Sequence, residues 1–342
     1  MLFSLLYCVV WVLQQSVKPL TIVGLVVFQV LALRFWPVLE YEVRCRILII
    51  FLVLASRGRD PEKILKLWLC ALLLTFFAAI LGLAFGFTFN QFKWHISYGT
   101  GYALGYIHPN NASRMLFWIA MLLWVLFWKD SYRIPFLLFG TVALVSIFYT
   151  RCRTIAVFAC ITPSFILYLH KRNFISNKKF QIVAVAAPFL CLCASLILSY
   201  ALIPLIPLLR HSALWNFLSR FVQNNIALQE YGVGITGQWI NFLGEISRDF
   251  YGETIALRIL DNAYVPWMIR KGIILTLLVL SLDSLAIFKI IKENRPELVF
   301  ISVLILVYGI LEPAALQLQY NFSFLFLLTG RKEDQSVHIQ PA

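Results

Sequence analysis

The sequence predicts an all-α polytopic membrane protein of about ten or eleven transmembrane helices, with a long outer loop carrying amphipathic helices. Three observations predict it. Of the 342 residues, 61% are hydrophobic and only 13% charged, so polar side chains could not cover a water-facing surface. Apolar runs recur that are long enough to cross the roughly 30 Å hydrocarbon core of a bilayer as helix. Lysines gather in every second connector between those runs, as they do when alternate connectors share the cytoplasmic face.

Taken in order, 1–66 forms the N-terminal transmembrane helices, with spans near 2–14, 20–36 and 46–56. The first run, LFSLLYCVVWVL, lacks a basic start and a small-residue cleavage site, so it reads as a membrane segment and not a signal peptide. Residues 67–205 form the central helices, near 67–87, 115–128, 134–149, 154–170 and 180–205, with an outer loop at 88–114 and an outer turn at 150–154. A large extracytoplasmic loop covers 206–264. The C-terminal helices occupy 265–330, with spans near 272–288, 297–312 and 319–330, and 331–342 is a short cytoplasmic tail. Gly82 and Gly86 form a small-residue helix-packing motif. The seven cysteines fall mostly inside apolar runs and make no CxxC pair, so they read as small buried hydrophobes.

The formal net charge of +13 is read against the membrane, with no nucleic-acid partner. The connectors RGRDPEKILK (57–66), KDSYR (129–133), KRNFISNKK (171–179) and KIIKENR (289–295), and the tail from Arg331-Lys332, mark the inner face. The other connectors carry Arg114, Arg151, Arg153, Arg210, Arg220, Arg248 and Arg258, and Lys93 is their one lysine. The positive-inside rule gives no reason for arginine outside. Guanidinium grips phosphate as a bidentate fork that an ammonium cannot reproduce. Single arginines commonly meet lipid headgroups; seven together point to a phosphate-bearing, lipid-linked ligand.

The run GYALGYIHPNNAS breaks the apolar pattern. Its glycines and Pro109 argue against regular helix, and Asn110 and Asn111 favour a turn that caps a helix starting near Ser113. The same His108, Asn110 and Asn111 can donate and accept toward sugar hydroxyls. In YTRCRTIAVF, Arg151 and Arg153 make a dense positive field, and for Arg151 a role in holding the turn through carbonyls is an equal alternative. The long loop begins with helical apolar spacing (Leu214, Leu218, Phe221, Val222), which predicts an amphipathic helix on the outer interface that holds Arg220. YGVGITG then reads as flexible, and LDNAY places Asp261, Asn262 and Tyr264 at the membrane mouth. Trp215, Trp239, Trp267 and Tyr264 equally suit an interfacial aromatic belt. Within the spans, Glu312 is expected to pair with an outer arginine and Asp283 with a nearby lysine. The sequons at Asn111 and Asn321 are discounted as chance matches.

In this order the landmarks resemble a family. His108-Pro109-Asn110 after a glycine-rich stretch, Arg153-Thr154 at an outer turn, and a helix carrying Arg220 come first. Tyr231-Gly232 with Gly234 and Gly237, then LDNAY, then KGII (271–274) follow. Residues 67–325 resemble the Wzy-type oligosaccharide-repeat-unit polymerases, relatives of the O-antigen ligases. That family usually has Ser-Arg at the turn and Ser-Gly-Arg or Thr-Gly-Arg on the helix, where this chain has Cys152-Arg153 and Leu218-Ser219-Arg220.

The resemblance implies a metal- and cofactor-free glycosyltransferase of the bacterial plasma membrane, active on the extracytoplasmic face, with its C-terminus inside. It would transfer a glycan from undecaprenyl diphosphate to the lipid-linked repeat unit that follows, building a capsule, exopolysaccharide or O-antigen. Its partners would be the lipid-linked oligosaccharide, the bilayer, and the flippase and chain-length regulator of the same pathway. Arg153 and Arg220 would hold the diphosphate, with His211 and Asp261 as catalytic candidates and Glu245 and Asp249 as further candidate bases. Substrate contacts would come from His108, Asn110, Asn111, Arg151, Arg210, Arg248, Arg258, Asn262, Tyr264 and Glu312. A ligase attaching the glycan to another acceptor, and a lipid-linked glycan flippase, are the alternatives.

Overall fold

The computed structural model describes residues 60–90, 92–95, 99–106, 108–171, 176–205, 215–238, 240, 246–248, 254–256, 260–313, 316 and 321–327. The chain is an all-α polytopic membrane protein. Among the described residues, five helices are long and apolar enough to cross a membrane, and two shorter apolar helices accompany them. The spans expected near 2–14, 20–36 and 46–56 lie outside the described residues. Two compact units are present: one of 60–181 and 293–301, the other containing 182–292 and the chain from 302.

In the first unit, α1 (Pro61–Ala84) starts ahead of the expected span because Asp60 accepts the Glu62 amide at 2.9 Å and Pro61 takes the first helical position. Little of α1 is buried in the protein, and Leu74, Phe77 and Leu81 are exposed, as suits a helix against acyl chains. Helices α2 (Pro109–Phe127), α3 (Arg133–Phe148) and α4 (Arg153–Lys171) meet around buried Phe117. Its ring lies edge-on to Phe139 at 5.8 Å and to Phe158 at 6.5 Å. Where connectors turn between helices, Arg295 bonds Glu297 at 2.8 Å and Glu62 at 3.5 Å.

Between α1 and α2 a short antiparallel hairpin, β1 (Phe92–His95) and β2 (Gly99–Tyr102), pairs Phe92 with Tyr102 and His95 with Gly99. The glycines of this stretch allow close approach. A Cβ on Gly101 would overlap the Thr150 carbonyl, and the neighbouring Tyr102 amide donates to Tyr149 O at 3.0 Å. Gly105 has φ 82°, and a Cβ there would overlap the Ala79 carbonyl of α1. The glycine run of the loop and the Tyr149–Arg151 turn are therefore packed backbone to backbone.

The second unit holds most of α5 (Lys178–Ala201), then α6 (Trp215–Tyr231), a short hairpin of β3 (Ile246–Arg248) and β4 (Thr254–Ala256), α7 (Tyr264–Lys292) and most of α8 (Pro296–Tyr308). Helix α6 forms where apolar spacing predicts, but it does not lie half in water. Residues 224–228 are all buried, and five consecutive positions cover the whole circumference of a helix.

Helix α7 begins at Tyr264, eight residues before the expected span at 272, and breaks at Gly272 (φ 79°, ψ 171°). The break removes intrahelical partners from the next amides, and the YGVGITG segment supplies them. Ile273 N donates to Gly234 O at 3.1 Å and Ile274 N to Ile235 O at 3.2 Å, while Gln238 N donates to the Arg270 carbonyl at 3.2 Å. The segment expected to be flexible is thus a fitted backbone clamp. A span near 319–330 is not formed within described residues 321–327, where a 3-10 helix, Phe322–Leu327, is present. It is tied to α7 by Asp283, which accepts from Asn321 Nδ2 at 3.0 and 3.2 Å and from Ser323 Oγ at 2.8 Å. Asp283 therefore bonds an amide and a hydroxyl where a lysine was expected.

Candidate functional site

Arg220 leaves α6 toward the ends of two other elements of its unit. Its Nε lies 3.5 Å from Asp261 Oδ2, just before α7, and its Nη1 lies 3.3 Å from Glu312 Oε1, just after α8. Nη1 also donates to the Leu311 carbonyl. The expected pairing of Glu312 with an arginine is present. Glu312 is almost fully buried, whereas the Asp261 side chain keeps 37% of its surface exposed. Arg220 thus joins an exposed carboxylate to a buried one.

The neighbours of Asp261 do other work. Asn262 Oδ1 accepts the Tyr264 and Val265 amides at 2.8 and 2.9 Å, capping α7. Its Nδ2 donates to Ile310 O at 2.8 Å and Ser195 Oγ at 3.1 Å. Tyr264 is fully buried and its hydroxyl donates to Leu306 O at 2.7 Å. The polar atoms of both join α7 to α5 and α8.

In the first unit, His108 caps α2: its Nδ1 accepts the Asn110 amide at 3.1 Å, which fixes that nitrogen as unprotonated. The helix thus runs through Pro109, Asn110 and Asn111 and does not wait for Ser113. Asn111 Oδ1 accepts from Arg114 Nη2 at 2.9 Å. Ser113 is buried against the Thr150 hydroxyl, and Ser146 Oγ donates to Ser113 Oγ at 3.2 Å. The loop at 88–114 and the turn at 150–154 are therefore brought together.

Arg151 and Arg153 sit at that turn. Arg151 has φ 56°, and its Nη1 donates to the Ile147 carbonyl at 3.2 Å, holding the C-terminal end of α3. Arg153 is exposed in the first turn of α4. Both border an open groove of about 490 Å³. Ala156, Val157, Cys160 and Ile161, one face of α4, give it an apolar wall, and Ser146 and Ile147 of α3 close its side. The surface lining the groove is almost wholly apolar, which suits an acyl or prenyl chain.

Arg210, His211 and Arg258, with Glu245 and Asp249, lie outside the described residues, and of Arg248 only the backbone in β3 is described. Sequence reasoning passed over Asn224 and Asn225 of α6. Both are fully buried, and none of their side-chain oxygens or nitrogens has a hydrogen-bond partner. A signal was there: Asn225 stands four residues after Phe221 and three before Leu228, on the apolar stripe. No protein-family model matches the chain, and neither curated proteins nor solved structures give a match.

Proposed function

We propose that the chain is a membrane glycosyltransferase that polymerises undecaprenyl-diphosphate-linked repeat units into a cell-surface polysaccharide on the extracytoplasmic face. The observation that carries this reading is the groove beneath Arg151 and Arg153. Its apolar wall suits a prenyl chain, and the Arg151 and Arg153 side chains border it. In the transfer, an acceptor hydroxyl attacks the anomeric carbon, the bond from that carbon to the diphosphate oxygen breaks, and undecaprenyl diphosphate leaves. Arg153 stabilises the charge developing on the leaving group. The proton of the hydroxyl passes to a carboxylate base.

The test is a gene deletion in the host, with the surface polysaccharide resolved on a gel and complementation by wild type, Arg153→Lys and Arg153→Ala. Deletion is expected to leave single repeat units where wild type shows a long ladder, with neither variant restoring it at normal membrane levels. Long chains that stay on the lipid carrier and never reach their final anchor would make the protein a ligase. Repeat units held on the cytoplasmic face would make it a flippase, and an unchanged ladder would end the reading.

A further inference from the structure

Two adjacent asparagines at the centre of α6 present an unresolved demand for hydrogen bonds. Asn224 and Asn225 are each 0% exposed, and both amide groups lack any partner among the described residues. Buried polar groups are nearly always satisfied, and two bare amides within one helical turn are destabilising in a folded protein. A helix packed on all sides at this level would be better served by apolar side chains. Their position is not arbitrary either. Asn224 stands one helical turn beyond Arg220, on the same side of α6 and about 6 Å further along its axis. Arg220 is the residue that holds Asp261 and Glu312.

We propose that Asn224 and Asn225 form a subsite for the uncharged, hydroxyl-bearing glycan portion of the substrate, an inference that rests on the glycosyltransferase reading above. The chemistry selects that class. A carboxamide offers two donors and an acceptor with no charge, and sugar hydroxyls offer donor and acceptor together. A phosphate would be drawn to guanidinium and a cation to the carboxylates, whereas two neutral amides favour a neutral polyhydroxylated partner. The subsite is closed in this structure, so its occupant enters with a shift of the side chains around α6. Structure without ligand then bears the cost of the bare amides, and ligand binding relieves it.

This arrangement has a signature that a structural role would not produce. Leucine has the branched shape of asparagine in a larger volume, and relief of an unsatisfied buried amide offsets the added bulk. Asn224→Leu and Asn225→Leu are therefore expected to melt at or above the wild-type temperature as purified full chain in nanodiscs. In the deletion host, at wild-type membrane levels, the same variants are expected to lose about tenfold or more of the polymer ladder. Asn224→Ala and Asn225→Ala give a second pair with the same expectation for polymer. Full restoration of the ladder by the leucine variants overturns the subsite while leaving the polymerase reading intact. A fall in melting temperature alongside lost polymer also overturns it, because the amides would then be holding the fold through buried water. If the deletion itself leaves the polysaccharide unchanged, the polymerase reading fails and the subsite falls with it.

Discussion

Replacing Gly272 by alanine tests the clamp on which the second unit is built. At φ 79° and ψ 171° Gly272 occupies a region essentially reserved for glycine, and an L side chain there carries about 1–3 kcal/mol of strain. Space is also lacking: a Cβ would stand 2.5 Å from the Ile235 carbonyl oxygen and 2.6 Å from the Thr236 carbonyl carbon. Both are backbone atoms and cannot swing aside. To admit the methyl group, the 232–238 segment must lift off, and Ile273 N and Ile274 N lose their acceptors at Gly234 and Ile235. Two amides stripped of their acceptors within an apolar span add about 1–3 kcal/mol each. The total is about 3–9 kcal/mol, a large share of the roughly 5–15 kcal/mol that holds a domain together. Thermal unfolding of purified protein in detergent should show Gly272→Ala melting at least about 6 °C below wild type. Gly140→Ala is the control. It lies inside α3 with nothing within 4 Å of its Cβ position, so alanine should be neutral or stabilise by up to about 1 kcal/mol. If Gly272→Ala melts within about 2 °C of wild type, the clamp is not what completes the broken helix.

Two further outcomes follow from the same unit. Arg220→Met removes the guanidinium beside buried Glu312, at a cost near the low end of about 3–5 kcal/mol because the pair is partly exposed. Adding Glu312→Gln should recover most of the lost melting temperature, and a double variant no better than Arg220→Met would refute the pairing. Asn262→Ala removes the cap of α7 and orphans the Ile310 carbonyl, together about 2–4 kcal/mol. Its melting temperature should fall by several degrees, whereas a surface substitution such as Gln229→Ala should leave it unchanged.

Much of this was legible because a bilayer restricts the choices. Helix positions follow from apolar run length, and the described helices fall where those runs do. The Glu312–Arg220 pair was legible for a related reason: a carboxylate at that depth needs a cation, and few were within reach. Element ends were read less well. Helix α2 starts at Pro109 because the His108 ring caps it, a cap the usual preference for Ser, Thr, Asp or Asn does not suggest. The LDNAY stretch was read as a mouth when it is a helix start, since Asn262 serves equally as a ligand donor and as a cap. YGVGITG was read as flexible because glycine content measures the freedom of an isolated chain. Here the glycines are needed for contact between backbones, which depends on a partner 35 residues away at Gly272. Asp283 was assigned a lysine because charge was weighed ahead of hydrogen bonding, and Asn321 and Ser323 satisfy the carboxyl without a second charge.

These cases separate two uses of polar residues in an apolar chain. Wherever a helix starts, stops or breaks, backbone groups are released that the hydrocarbon cannot satisfy, and polar motifs gather there whatever the protein does. His108, Asn262, Tyr264 and Arg151 all have bonds to backbone groups at such places. A polar motif in this chain is therefore first a mark of a helix end, and only what it leaves unused bears on chemistry. That criterion reorders the candidates. Asn224 and Asn225 rise furthest, since they lie at no helix end and their side chains bond to nothing among the described residues. A residue that neither ends a helix nor completes a packing contact, yet stays polar where leucine would serve the fold better, is held there by something the fold alone does not contain.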